Sequence, residues 1–156
     1  MTDADYEGRL REFIGSAGIA CEHLVFRRSC HSVAEAAEAA GVRPEDLIKS
    51  ICMIASDGTL VVAVVKGEDQ ASTSRVGKHL GQERPRTATP EEMLELTGYP
   101  CGGTPPFGFP ARYLVDPRVL ETGTVLGGGG SPRSLVRLAS AELVRANGGT
   151  VTRVRR

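Results

Sequence analysis

Leu47-Ile48-Lys49-Ser50-Ile51-Cys52-Met53-Ile54-Ala55, followed by Ser56-Asp57-Gly58 and then Thr59-Leu60-Val61-Val62-Ala63-Val64-Val65, is the stretch on which the fold turns. Both arms are β-branched or apolar, and Asp57-Gly58 suits the two positive-φ positions of a type I′ turn. The segment therefore predicts a β-hairpin. Val61 to Val65 is apolar without alternation, the pattern of a strand covered on both faces. Lys49 interrupts the first arm, and alternation places it on the face of Ile51 and Met53. An ammonium left unpaired in a core costs several kcal/mol. Lys49 must therefore face a cleft, pair with an acid, or stand at the exposed start of the strand.

Outward from the hairpin, Tyr6, Leu10, Phe13 and Ile14 recur at helical spacing, so residues 3–16 should be an amphipathic helix ended by Gly15 and Gly18. Glu22 to Phe26 reads as a short strand. Ser32-Val33-Ala34-Glu35 has the capping-box form and opens an alanine-rich helix that Gly41 stops. Beyond the hairpin, Ser72 to Leu80 reads as a helix and Arg84 to Ala88 as a strand. Thr89-Pro90-Glu91-Glu92 opens a helix through Leu96. Strands are expected at Ala111–Val115, Thr124–Leu126, Ser134–Leu138 and Val151–Val154, with Ser140 capping a last helix. Elements in this irregular order predict an α/β (α+β) fold. The expectation is one domain over residues 1–156, with flanking helices around a mixed, largely antiparallel sheet of about six to seven strands.

Two glycine-rich segments stand apart from these elements. Thr97-Gly98-Tyr99-Pro100-Cys101-Gly102-Gly103-Thr104-Pro105-Pro106-Phe107-Gly108-Phe109-Pro110 is too rich in Gly and Pro for helix or central strand. Its apolar anchors Tyr99, Cys101, Phe107 and Phe109 also set it apart from a polar linker. It is either a pocket wall made of main-chain amides or a rigid connection between strands. Gly127-Gly128-Gly129-Gly130 could expose several N–H groups to one anion. It matches neither the G-x-x-x-x-G-K-[ST] phosphate loop nor a G-x-G-x-x-G opening a helix.

Composition narrows the function classes. Lysine plus arginine equal aspartate plus glutamate, 19 against 19, so only a local patch could meet a polyanion. The start Met1-Thr2-Asp3-Ala4-Asp5 lacks the layout of a signal peptide. No apolar run approaches the roughly 18 residues of a membrane span, and the four cysteines form no C-x-x-C pair. These features suit a cytoplasmic protein with free thiols. Ser131 is in no G-x-S-x-G elbow, and His23, His31 and His79 form no H-E-x-x-H. Cys21-Glu22-His23 and Cys30-His31 offer only a thin case for zinc, and a Cys/His nucleophile pair is equally thin.

Taken in order, Leu47-Ile48-Lys49-Ser50-Ile51, the Thr97–Gly108 loop, Tyr113-Leu114-Val115-Asp116, and Gly128-Gly129-Gly130 with Ser134-Leu135-Val136-Arg137-Leu138 resemble the YbaK/EbsC family. These are aminoacyl-tRNA editing domains, free-standing or inserted in prolyl-tRNA synthetases. The resemblance runs from the Ser32 helix to the C-terminus. It implies a trans-editing hydrolase that deacylates mischarged tRNA bearing a small amino acid such as cysteine, alanine or serine, with tRNA-Pro as the expected carrier. It implies no metal and no cofactor. The partners implied are the tRNA 3′ aminoacyl end and, as a second candidate, an aminoacyl-tRNA synthetase. Lys49 matches the family's lysine that holds the terminal nucleotide. Gly102 and Gly103 are assigned to the ester and its oxyanion, and Gly128, Gly129 and Gly130 to the opposite wall. Thr104, Pro105, Pro106, Gly108, Asp116, Ser50 and His31 complete the expected substrate-binding set. Attack would be largely substrate-assisted, helped by a terminal ribose hydroxyl or, in some members, by the misplaced side chain. The family loop often reads G-G-V-S-P-F-G, whereas Thr104-Pro105 stands here in place of Val-Ser, and Cys101 in place of an aliphatic. The alternative is a module of the same fold that binds a tRNA end or nucleotide, or docks on a synthetase, without turnover. Mischarged tRNAs separate the two readings.

Overall fold

The computed structural model describes residues 1–156. The hairpin is its centre: β2 (Ile48–Ile54) pairs antiparallel with β3 (Leu60–Lys66) over seven residue pairs. The turn differs from the expected type I′. Gly58 N–H donates to Ala55 O at 2.9 Å, and Gly58 alone has positive φ (86°), so Ser56-Asp57-Gly58 forms a three-residue loop. Asp57 is held at negative φ, its Oδ1 accepting the Thr59 N–H at 2.9 Å.

Every residue of β3 is buried, and its two faces feed different cores. Leu60, Val62 and Val64 join Leu10, Tyr99, Phe107, Val125, Val136 and Leu143 in one cluster. Val61, Ala63 and Val65 join Met53, Val76, Leu114 and Val154 in another. Each such side chain contributes about 1.5–3 kcal/mol when fully buried, so the uninterrupted valine run is the most concentrated stabilising element of the chain.

Around the hairpin, β4 (Arg86–Thr87), β5 (Arg112–Val115) and β8 (Thr150–Val151) complete a five-stranded sheet in the order β4-β2-β3-β5-β8. A second, antiparallel sheet has the order β1-β7-β6, from β1 (Cys21–Val25), β6 (Thr124–Gly128) and β7 (Ser134–Ala139). The mixed, largely antiparallel character and the flanking helices are as expected, with eight strands divided between two sheets. A single parallel bridge, Leu47 to Leu126, joins them.

Between the sheets lie α1 (Asp3–Ala17), the glycine-proline loop and α5 (Ser140–Asn147). The helix α2 (Val33–Ala40) covers the far side of the three-stranded sheet, with Ala36 and Ala37 packed near Leu47, Leu126 and Leu135. The helices α3 (Thr73–Leu80) and α4 (Pro90–Thr97) start at Ser72 and Thr89 as the sequence predicts, each hydroxyl accepting a main-chain N–H. Ser140 is itself the first helical residue of α5, preceded by Ala139, and makes no side-chain cap.

Candidate functional site

A cavity of about 370 Å3 opens where β2, β6, α2, α4 and the 100–104 loop meet, within the usual size range for a small-molecule site. Lys49 and Ser50 line it from β2, Gly102 and Thr104 from the loop, Gly128 from the glycine run and His31 from the approach to α2. Six of the thirteen residues expected at the site thus meet in one concavity. No aspartate or glutamate lines it, and Lys49 takes part in none of the chain's ion pairs. Lys49 is only partly buried and lines the cavity, which answers the desolvation objection to a lysine in an apolar strand.

The two glycine segments touch, which explains their composition. A Cβ on Gly128 would lie 2.2 Å from Thr104 O, so the 128 position accepts only a bare Cα. Gly130 N–H donates to Gly103 O at 2.8 Å and Gly129 N–H to Ser134 O at 3.0 Å. Beneath them Glu7 of α1, only 4% exposed, accepts from Ser131 Oγ at 2.6 Å. Ser131 N–H in turn donates to Ser134 Oγ at 3.0 Å. One buried carboxylate therefore braces the turn that braces the loop.

These bonds also decide where several of the expected residues stand. Gly103 N–H is held by Pro100 O at 3.0 Å and its carbonyl by Gly130, so Gly103 has no free group for an oxyanion and does not line the cavity. Gly129 and Gly130 spend their N–H groups internally, so the run is no anion nest and stands behind the wall. Pro105, Pro106 and Gly108 also fall outside it. Pro105 and Pro106 are buried, Pro106 O accepts from Asn147 Nδ2 at 3.1 Å, and Gly108 sits against Leu10 and Phe13. Asp116 is fully buried elsewhere. It accepts from the N–H groups of Arg118, Val154 and Arg155 and from the Arg155 guanidinium at 2.8 Å. Burial pushes its carboxyl up, but those donors outweigh it and hold the group below the usual carboxylate range.

Gly102 lines the cavity. Its φ of 88° turns the loop, and His31 Nδ1 occupies the space a side chain would need, 2.2 Å from the position of a Cβ. Its N–H forms no main-chain bond of the kind that holds Gly103. That leaves a donor at a positive-φ turn, bordering a cavity that also holds a cation.

Several lining residues, Val33, Thr87 and Met93, carry no sequence signal. Together with Cys30, Cys52 and Cys101 they meet only through the fold and give the cavity its apolar, sulfur-rich side. Burial pushes the Cys52 thiol up to about 12, with a smaller contribution from neighbouring Cys101, and raises the Cys30 thiol as well. No three His, Cys, Asp or Glu side chains are grouped to hold a metal ion. His23 Nε2 instead lies 2.7 Å from Gly129 O. No helix is long and apolar enough to cross a membrane.

Residues 27–146 match the family model of the aminoacyl-tRNA editing domain. A proline–tRNA ligase of Thermotoga neapolitana is 31% identical over 85 residues, a match covering 54% of this chain and 15% of that much longer protein. The multifunctional Ser/Thr-tRNA deacylase ProXp-y of Escherichia coli K12 is 33% identical over 75 residues, covering 46% of this chain and 45% of the relative. Among solved structures, a candidate trans-editing enzyme for prolyl tRNA synthetase superposes with a TM-score of 0.90. It is 28% identical, with 97% of each chain covered.

Proposed function

The chain belongs to the aminoacyl-tRNA editing domain family, and from that premise we propose that it deacylates mischarged tRNA, hydrolysing the ester between a small amino acid and the 3′-terminal ribose. The observation that carries this reading is the convergence of one acid-free cation, Lys49, with the Gly102 turn in a single small cavity. In this reading Lys49 grips phosphate or ribose oxygens of the terminal nucleotide. The Gly102 N–H meets the carbonyl oxygen as it becomes an oxyanion, a contribution of about a hundred- to a thousand-fold for one such donor. Water, positioned with help from a neighbouring ribose hydroxyl, adds to the ester carbon. The bond to the ribose oxygen breaks, that oxygen takes a proton, and the amino acid leaves as its carboxylate. An activated ester asks for positioning and charge stabilisation rather than a strong base. The acyl group would lie against Cys30, Val33, Cys52 and Met93, a lining suited to cysteine, alanine or serine and hostile to acidic or basic side chains. A tRNA for proline is the proposed carrier.

The test is a panel of tRNAs charged with noncognate small amino acids. At least one should be deacylated, and Lys49→Ala should lower kcat/KM by about a hundred-fold or more with the fold intact by circular dichroism. Failure to cleave any member, or undiminished cleavage by Lys49→Ala, would overturn the assignment.

A further inference from the structure

Six successive residues, Leu47 to Cys52, border the cavity. A strand offering its face contributes every second residue, so here the border is the edge of β2. The ladder fixes which groups that edge presents. Gly67 N–H donates to Leu47 O at 2.8 Å and Ala55 N–H to Thr59 O at 3.0 Å, so the odd-numbered residues of β2 bond to β3. The even-numbered ones turn their N–H and C=O the other way, as Cys52 does in accepting from Ala88 N–H at 2.9 Å. On that side β4 reaches only Met53 and Ile54, and the link to β6 is the bridge at Leu47. Ser50 lies in the gap between them. Its N–H and C=O are aimed away from β3, no ladder pair forms at Ser50 on that side, and the residue lines the cavity.

An aminoacyl ester brings two main-chain groups to such a site, an ammonium that must donate and a carbonyl that must accept. No carboxylate lines the cavity to take the ammonium. We propose that the aminoacyl group docks on β2 as a one-residue strand, a mode that rests on the deacylase reading above. Its ammonium donates to Ser50 O and its ester carbonyl accepts from Ser50 N–H, the double exchange of a closely spaced antiparallel pair. Ser50 N–H then becomes the second donor to the oxyanion beside Gly102. Main-chain bonds supply the grip and the neighbouring side chains supply selection, as in other cases of strand addition. The pairing is blind to the amino acid's side chain and depends on its amine.

The experiment compares a cleaved aminoacyl-tRNA with its des-amino counterpart, propionyl-tRNA against alanyl-tRNA for example. Each rate is divided by that ester's spontaneous hydrolysis in buffer. The acceleration should fall at least about tenfold without the amine, the equivalent of one charge-assisted hydrogen bond. Replacing residue 50 by its α-hydroxy acid analogue, which removes only the N–H, should lower the acceleration by about a hundred-fold. Equal acceleration of propionyl and alanyl esters, or an unaffected α-hydroxy analogue, overturns the docking mode and leaves the deacylase standing. Absence of cleavage for every aminoacyl-tRNA overturns the reading beneath it.

Discussion

Substituting Gly128 by alanine tests how the cavity is built. The added Cβ would lie 2.2 Å from Thr104 O, 2.8 Å from the Thr104 carbonyl carbon and 3.1 Å from Gly103 O. A carbon needs about 3.3 Å from a carbonyl oxygen, so one turn must retreat by about 1 Å. Neither can do so freely, because the atoms in the way are main chain and Gly103 O is tied to Gly130 N–H. Overpacking of this kind costs about 1–3 kcal/mol, and in a chain of this size each kcal/mol lowers Tm by about 2–4 °C. The effect on rate should be larger than the effect on stability, since a 1 Å misplacement of reacting groups can cost about a hundred-fold. The assay is deacylation at a temperature where calorimetry finds the variant folded. Gly123→Ala, with nothing within 4 Å of its Cβ, should melt and cleave like the parent. An unchanged Tm and rate for Gly128→Ala would refute the contact between the turns. A lowered Tm with an unchanged rate would refute the part this wall is given in the chemistry.

Further expectations concern the groups around the site. Glu7→Gln removes the charge that Ser131 and Arg133 address, and urea unfolding should find a loss of about 1–3 kcal/mol together with a lowered kcat. An unchanged kcat would mean that the brace under the turns does not reach the site. Asp116 has a folded pKa below its unfolded value. Its contribution is therefore complete above about pH 4 and vanishes as pH falls through the folded value. Asp116→Asn should lose about 3 kcal/mol at neutral pH, flatten the acid limb of the stability curve, and leave deacylation by the folded protein near its original rate. Loss of cleavage in folded Asp116→Asn would return that residue to the site. Iodoacetamide should label exposed Cys101 while the raised thiols of Cys52 and Cys30 stay unreacted. Mass spectrometry locates the adduct, which should block deacylation in the parent and not in Cys101→Ala.

Much of this was legible before any coordinates. The valine run of β3 and the capping residues Ser32, Ser72 and Thr89 report local physics, and each produced its element. Lys49 was legible because a charge in an apolar strand demands an explanation, and the two glycine segments because their composition excludes regular structure. What the residues could not disclose was which glycine amides remain free. Gly102 and Gly103 look alike in sequence, yet one is spent on Pro100 and the other is not. Asp116 follows an expected strand and precedes a proline, a pattern equally fitting for a ligand contact or for the buried anchor it turns out to be. The sulfur-rich side of the cavity depends on residues 71 positions apart, Cys30 and Cys101, and no local pattern links them.

The bare edge of β2 and the facing Gly102 turn have one more implication. Both are backbone, and backbone cannot be altered by an ordinary codon change, whereas Cys30, Val33, Cys52 and Met93 beside them can each be exchanged singly. On the proposed reading, mutation can drift across the chamber that would sort amino acids while these two backbone donors stay constant. A laboratory seeking a deacylase for a different misacylated product would do well to randomise those four codons and leave the rest of the hairpin alone.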